Sequence, residues 1–205
     1  MRSAGSDIRV AGKRNRQTWV GEVMPIDEST YLRLVSAYRG NDIVGDLPRQ
    51  LVALWCDDYG TANPAAELVQ VDLSEAGAAF SYLFDLNLQR NVVAWGQPAY
   101  VTHRRDAGRM AGHPLGGDSR YHRGHLMSHG TGGGTDINLV PQLGRMNVGA
   151  FRRLERLVRQ LAQQHRICLY FVRTLYADAS QMPRRFEQCV IQPSKAVSYA
   201  IHDNA

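Results

Sequence analysis

Between residues 148 and 165 the apolar side chains Val148, Phe151, Leu154, Val158 and Leu161 recur at three- and four-residue steps. That spacing lays one stripe along a helix and predicts a single helix over 148–165 with this stripe buried. Shorter helical spacing appears over residues 30–38 and 50–57, whereas 68–73 and 79–86 alternate with the two-residue period of strands. Residues 92–102 read as a further strand. Beyond them lies a loop over 104–119, rich in Gly, Arg and His, and then a short strand beginning at Tyr121. The cluster Gly130-Thr131-Gly132-Gly133-Gly134 lacks the Gly-Lys-Ser/Thr ending of a phosphate-binding P-loop, so it reads as a plain loop before the apolar run 137–140. Strands are expected again over 167–172, 186–191 and 197–201. Strands and helices in this order predict an α+β fold with a mixed or antiparallel sheet.

Composition narrows the class. At 205 residues, 44% hydrophobic and 21% charged, the chain is large enough for one buried core and too apolar for general disorder. The organisation expected is a polar lead-in over 1–27, an N-terminal part over 28–91 that resembles nothing known, and a core over 92–205. No apolar run approaches the roughly 18 residues that span a bilayer, and residues 1–20 carry positive charge without an apolar signal region. A membrane partner is therefore not expected. The location expected is cytoplasmic, or outside the cell by a route that uses no standard signal peptide. Cys56, Cys168 and Cys189 are odd in number and too widely spaced for a CxxC site, which suits a reducing compartment.

The net charge is +5, and because Lys13 and Lys195 are the only lysines, 22 of the 24 basic residues are arginine. Guanidinium groups fork onto phosphate oxygens. Codon usage in a GC-rich genome explains the same bias, so charge alone argues only weakly for nucleic acid.

Candidate chemistry concentrates between residues 121 and 159. His125 can accept a proton near neutral pH. Arg123 and Arg159 can grip phosphate oxygens, and an amide oxygen can hold a hard, largely hydrated ion such as Mg²⁺. Those are the parts that hydrolysis of a phosphodiester needs. If 148–165 is one helix begun at Asn147, then at about 100° per residue Glu155 and Arg159 sit roughly 80° and 120° round from Asn147, on one side. The bland alternative for Glu155 and Arg159 is an i,i+4 surface pair. His122, His125 and His129 also allow a zinc cluster on a helix, against which Gly124 and the glycine loop argue. Trp55, Trp95 and the scattered tyrosines fit a core better than a base-stacking platform.

The segments His122-Arg123-Gly124-His125, Asn138-Leu139-Val140-Pro141-Gln142 and Asn147 to Glu155 resemble, in residue type and spacing, the motifs of the DNA/RNA non-specific endonucleases. These enzymes belong to the ββα-metal, or His-Me finger, superfamily that includes the endonuclease G group. The likeness covers about residues 92–172. It implies a ββα-metal site in which His125 is the general base and Asn147 the direct ligand of a hydrated Mg²⁺, with Mn²⁺ as a substitute. Glu155 would hold metal-bound water, Arg123 and Arg159 would stabilise the scissile phosphate, and Asn138 would support the site or the substrate. His122 stands where the family has aspartate, and Asp118 and Asp136 are the nearby carboxylates. The function this implies is metal-dependent cleavage of DNA and RNA with little sequence preference. By analogy of context it extends to a bacterial toxin or effector restrained by a cognate immunity protein. The opposing reading is a catalytically silent protein that binds nucleic acid or a partner through a decayed site.

Overall fold

The computed structural model describes residues 19–75, 77–102 and 118–205. The first 18 residues of the lead-in, most of the 104–119 loop, His103 and His113 lie outside the described residues.

Two helices come first, α1 (Glu28–Ala37) and α2 (Leu47–Ala62), followed by a meander β1 (Leu68–Glu75), β2 (Ala78–Asp85) and β3 (Arg90–Gln97). A two-stranded hairpin follows, β4 (Tyr121–His125) with β5 (Leu139–Leu143), then helices α3 (Gly144–Val148) and α4 (Arg152–Gln163). The chain closes with β6 (Leu169–Leu175), β7 (Arg185–Ile191) and β8 (Val197–Asp203). The main sheet is six-stranded in the order β1-β2-β3-β6-β7-β8, and every pairing among the described residues is antiparallel.

Period-two alternation explains how the sheet buries both faces. Val93, Trp95, Leu169, Phe171, Cys189 and Ile191 point to the α1–α2 side, where Tyr31, Leu47, Leu51 and Trp55 meet them. Ala94, Tyr170, Val172, Phe186 and Val190 point the other way, onto Tyr121, Val140, Phe151, Val158 and Leu161. Strands buried on both faces lose the clean polar alternation, which is why 167–172 and 186–191 read as near-continuous apolar runs. Trp55 and Trp95 pack against each other at 5.8 Å in the first of these cores, as expected. Burial raises the Cys168 and Cys189 thiols, Cys168 to about 11, so they act as small apolar fillers.

Polar groups tie the first core to the sheet. Asp85 is fully buried and accepts hydrogen bonds from Tyr59 (2.7 Å), Asn63 (2.8 Å) and the backbone of Asn87 (2.9 Å) and Leu88 (3.2 Å), joining the end of α2 to the β2–β3 turn. Arg173, 1% exposed at the centre of the sheet, donates to Glu187 (2.8 Å) and to Asp58, while Glu187 also accepts from Tyr31 and from the Ile26 backbone (2.9 Å).

Two expectations are corrected. The strand predicted over 92–102 ends at Gln97. Residues 99–101 leave the sheet, and the backbone N–H groups of Ala99 and Val101 donate instead to Thr131 (3.1 Å) and Gly130 (3.2 Å). The single helix predicted over 148–165 is two. Gly149 breaks it with φ −105° and ψ −104°, and a Cβ there would stand 2.5 Å from the Arg145 carbonyl oxygen. The break leaves Val148 51% exposed and swings Phe151 into the second core, against Phe186 (5.8 Å) and His202 (5.2 Å). Periodicity could not see this, because an apolar residue at the right spacing is equally compatible with a helix interrupted by one glycine.

The central ion pair generates a test. Arg173→Met leaves Glu187 buried without its charge partner, so we expect a loss on the order of 3–5 kcal/mol in urea unfolding. Replacing Arg173 and Glu187 together by apolar residues should cost much less. A single-mutant loss below about 1 kcal/mol would show that the network contributes little.

Candidate active site

The site is built on the β4–β5 hairpin and the helices after it. In the hairpin His125 pairs with Leu139, Gly124 with Val140, Arg123 with Pro141 and His122 with Gln142. Gln142, fully buried, donates from Nε2 to the His125 carbonyl (3.1 Å) across the pair. A Cβ at Gly124 would stand 2.1 Å from Gln142 Oε1, so the glycine between Arg123 and His125 is required by the close approach of that amide. The hairpin is held at its far edge by Asn204. Its side chain accepts from the Leu143 N–H (2.7 Å) and donates to the carbonyls of Pro141 (3.1 Å) and Pro183 (2.8 Å).

Asn138 is fully buried and spends its amide on backbone. Oδ1 accepts from Met127 N–H (2.8 Å), and Nδ2 donates to the carbonyls of Met127 (2.7 Å) and Gly134 (2.8 Å). Of the two roles the family likeness allowed it, this geometry is that of support. It clamps the segment that follows His125 and so sets the course of residues 126–134.

His125 is 7% exposed, with its ring 6.5 Å from that of His129. Three residues further along the chain begins the wall of a cleft of about 380 Å³, lined by Ser128, Gly130, Arg152, Glu155, Arg156 and Arg159. Glu155 and Arg159 therefore meet the loop that follows His125. Arg159 lies over the Tyr100 ring at 5.4 Å, and a Cβ at Gly130 would stand 3.5 Å from its Nη1. Beneath α4, burial first and then the charge of Glu155 hold the Tyr170 phenol well above its ordinary value, so this floor stays neutral.

Asn147 sits elsewhere on the same scaffold. It lies in α3, across the Gly149 break, so the angular argument that put it on one helix with Glu155 and Arg159 does not hold. Its Nδ2 is 3.4 Å from His122 Nδ1, a weak contact in which the imidazole nitrogen is the acceptor. Arg123 is exposed and faces a different cleft, shared with Asp136 and Asn91. Asp118 is paired with Arg120 (2.8 Å) at the surface. The predicted residues thus surround the hairpin in three groups: Glu155 and Arg159 beside the segment after His125, Asn147 beside His122, and Arg123 beside Asp136.

The three histidines of the zinc reading do not converge. His122 and His125 are three apart on a strand and project to opposite faces, and among the described residues no cluster of three or more His, Cys, Asp or Glu side chains could hold a metal. The donor set fits a hard, mostly hydrated cation better: the Asn147 amide, whose orientation His122 fixes, and the half-buried Glu155 carboxylate. Sequence reasoning missed Arg152 and Arg156, though their spacing with Arg159 was a readable i, i+4, i+7 stripe. It also missed Asn204, for which no local signal exists.

A hairpin carrying His125, packed with a Glu- and Arg-bearing helix on an antiparallel sheet, defines the class as an α+β protein with a ββα site. The profile of the DNA/RNA non-specific endonuclease family matches residues 88–192, and the chain belongs to that family. No curated protein matches. Among solved structures, NucA from Streptococcus agalactiae with a magnesium ion bound is similar, with 12% identity, a TM-score of 0.51, and coverage of 73% of this chain and 89% of that one. NucA from the same organism with no metal bound is similar too, at 15% identity, TM-score 0.52, and coverage of 80% and 92%. At that distance the likeness is one of fold: an α+β architecture with antiparallel sheets.

Support by Asn138 has a measurable consequence. Asn138→Ala strands two carbonyls and one N–H of backbone in a buried place, so we expect a loss of about 3 kcal/mol or more in denaturant unfolding. Retained stability would show that Asn138 does not clamp the loop.

Proposed function

We propose that this chain is a Mg²⁺-dependent endonuclease that hydrolyses phosphodiester bonds of DNA and RNA with little sequence preference. The observation that carries the reading is the cleft where Glu155 and Arg159 meet the loop directly after His125, within the segment that the family profile matches. His125 is the general base that takes the proton of the attacking water. Its backbone is pinned by Gln142 and its neighbourhood by Asn138, so the imidazole needs little reordering before reaction. Arg159, packed over Tyr100, holds phosphate oxygens from the α4 side and Arg123 from the hairpin side. Glu155 orients water, and the Asn147 amide, set by His122, is the protein ligand of the ion. When bound, hydrated Mg²⁺ supplies positive charge to the phosphorane-like transition state and to the leaving oxygen. Support for the ion comes from the amide and carboxylate donors here and from the magnesium that NucA carries. Little sequence preference follows because groups that grip phosphate carry no base information.

Purified protein should cut plasmid DNA and RNA in Mg²⁺ or Mn²⁺ and leave both whole in EDTA. His125→Ala should lower the rate by roughly 10²–10⁴-fold, the usual contribution of a general base, with folding and DNA affinity retained. His122→Ala should be milder. Folded protein that binds DNA and never cuts it would replace this reading with that of a silent binder. The further expectation, a toxin domain restrained by a cognate immunity protein, requires that expression arrest bacterial growth and that His125→Ala relieve the arrest.

Asn147 and Glu155 can be separated by calorimetry. Asn147→Ala should weaken Mg²⁺ binding and slow cleavage together, whereas Glu155→Gln should slow cleavage with a smaller change in Mg²⁺ affinity, since the amide still holds water. Unchanged Mg²⁺ affinity in Asn147→Ala would remove Asn147 as the ligand.

A further inference from the structure

A second cleft, of about 680 Å³, opens between the β2–β3 end of the main sheet and the β4–β5 hairpin. Its volume falls in the range of small-molecule sites, roughly 300–1,000 Å³. Phe84 and Tyr176 contribute aromatic rings to its walls, Arg123 and Asp136 contribute charge on the hairpin side, and Arg90 and Asn91 form the sheet side.

Arg90 and Asn91 are each 3% exposed, and each keeps one buried side-chain atom without a hydrogen-bond partner, Nη2 of Arg90 and Oδ1 of Asn91. A neighbouring orphan donor and orphan acceptor at a cavity wall call for a polar partner. The remainder of Arg90 is immobilised. Nε donates to Tyr59 (2.8 Å), Nη1 donates to the carbonyls of Asp178 and Ser180 (both 2.6 Å), and the guanidinium lies 3.8 Å from the Tyr176 ring and 4.3 Å from that of Trp19. The wall is therefore preformed. A simple anion is a poor match, because the Asn91 and Asp136 oxygens need a donor. An apolar molecule leaves both orphans unpaired. A nucleobase offers a flat face to aromatic rings together with adjacent donors and acceptors along its edge.

Arg123 connects this cleft to the cut. On β4 it is two residues from His125 and on the same face, about 7 Å away at the rise of a strand, which is within the reach of a single nucleotide. We propose that the cleft receives the base of a nucleotide adjoining the scissile phosphate. The assignment rests on the nuclease reading of His125 and Arg123. Stacking on Phe84 and Tyr176 makes the cleft tolerant of different bases, so it positions a strand without imposing a strict sequence.

The test is anisotropy titration of the full chain in EDTA with fluorescein-labelled tetrathymidylate and with the same oligonucleotide carrying one abasic position, moved along the strand. Loss of the base at one position should weaken binding about tenfold, as expected for a stacked base. Phe84→Ala, and Gln181→Trp at the rim, which fills the cleft without removing core, should each abolish that difference. Equal affinity for intact and abasic strands at every position would overturn the proposal, as would an unchanged base effect in Gln181→Trp. Base-dependent binding without Mg²⁺-dependent cutting would fail the nuclease reading alone. Cutting without base dependence would fail the cleft alone.

Discussion

A sheet with both faces buried is the constraint on which the rest of this molecule depends. Each central strand must supply one core with its odd positions and the other with its even ones, so no strand can shift register by one residue without exchanging the two cores. The α1–α2 layer is therefore structural support for the opposite face: by covering Trp95, Phe171 and Ile191 it leaves Tyr170, Val172 and Phe186 to seat the hairpin and α4. Arg173 at the sheet centre is tolerated only because Glu187 and Asp58 meet it, which fixes α2 against β6 and β7.

The chemistry is then positioned chiefly by backbone. Asn138 ties Met127 and Gly134, Gln142 ties His125, Asn204 ties Leu143 and Pro141, and the strand that leaves β3 ties Gly130 and Thr131. Side chains that reach backbone polar groups locate a loop more firmly than packing alone, because an unmade bond in a buried place carries the full desolvation cost. This suits a site of hydrated metal and few direct ligands. When water does most of the coordinating, accuracy has to come from the frame that holds the base, the amide and the phosphate-gripping arginines. The preformed wall around Arg90 extends the same economy to the neighbouring cleft.

Much was legible in the chain as written. The hairpin strands, the three last strands and the Phe151–Leu161 stripe follow from period alone, and the motif His122 to His125 with Asn138, Gln142, Asn147 and Glu155 located the site and its family. Less legible were the positions of those residues relative to each other. The Gly149 break separates Asn147 from Glu155 in a way that apolar spacing cannot register, since a glycine is compatible with both a continuous and an interrupted helix. Asn204 contributes to the hairpin from more than sixty residues away, and no local signal marks it.

By itself, then, the sequence determined which elements exist and which residue types carry the chemistry, because both depend on short-range period and on motif spacing. Only the tertiary structure decided that Asn147 lies with His122, that Glu155 and Arg159 lie with the loop after His125, and that Arg123 shares a cleft with the buried Arg90 and Asn91. Those groupings arise from contacts between distant segments, and such contacts depend on how two cores fill from opposite faces of one sheet, a property no local window of residues contains.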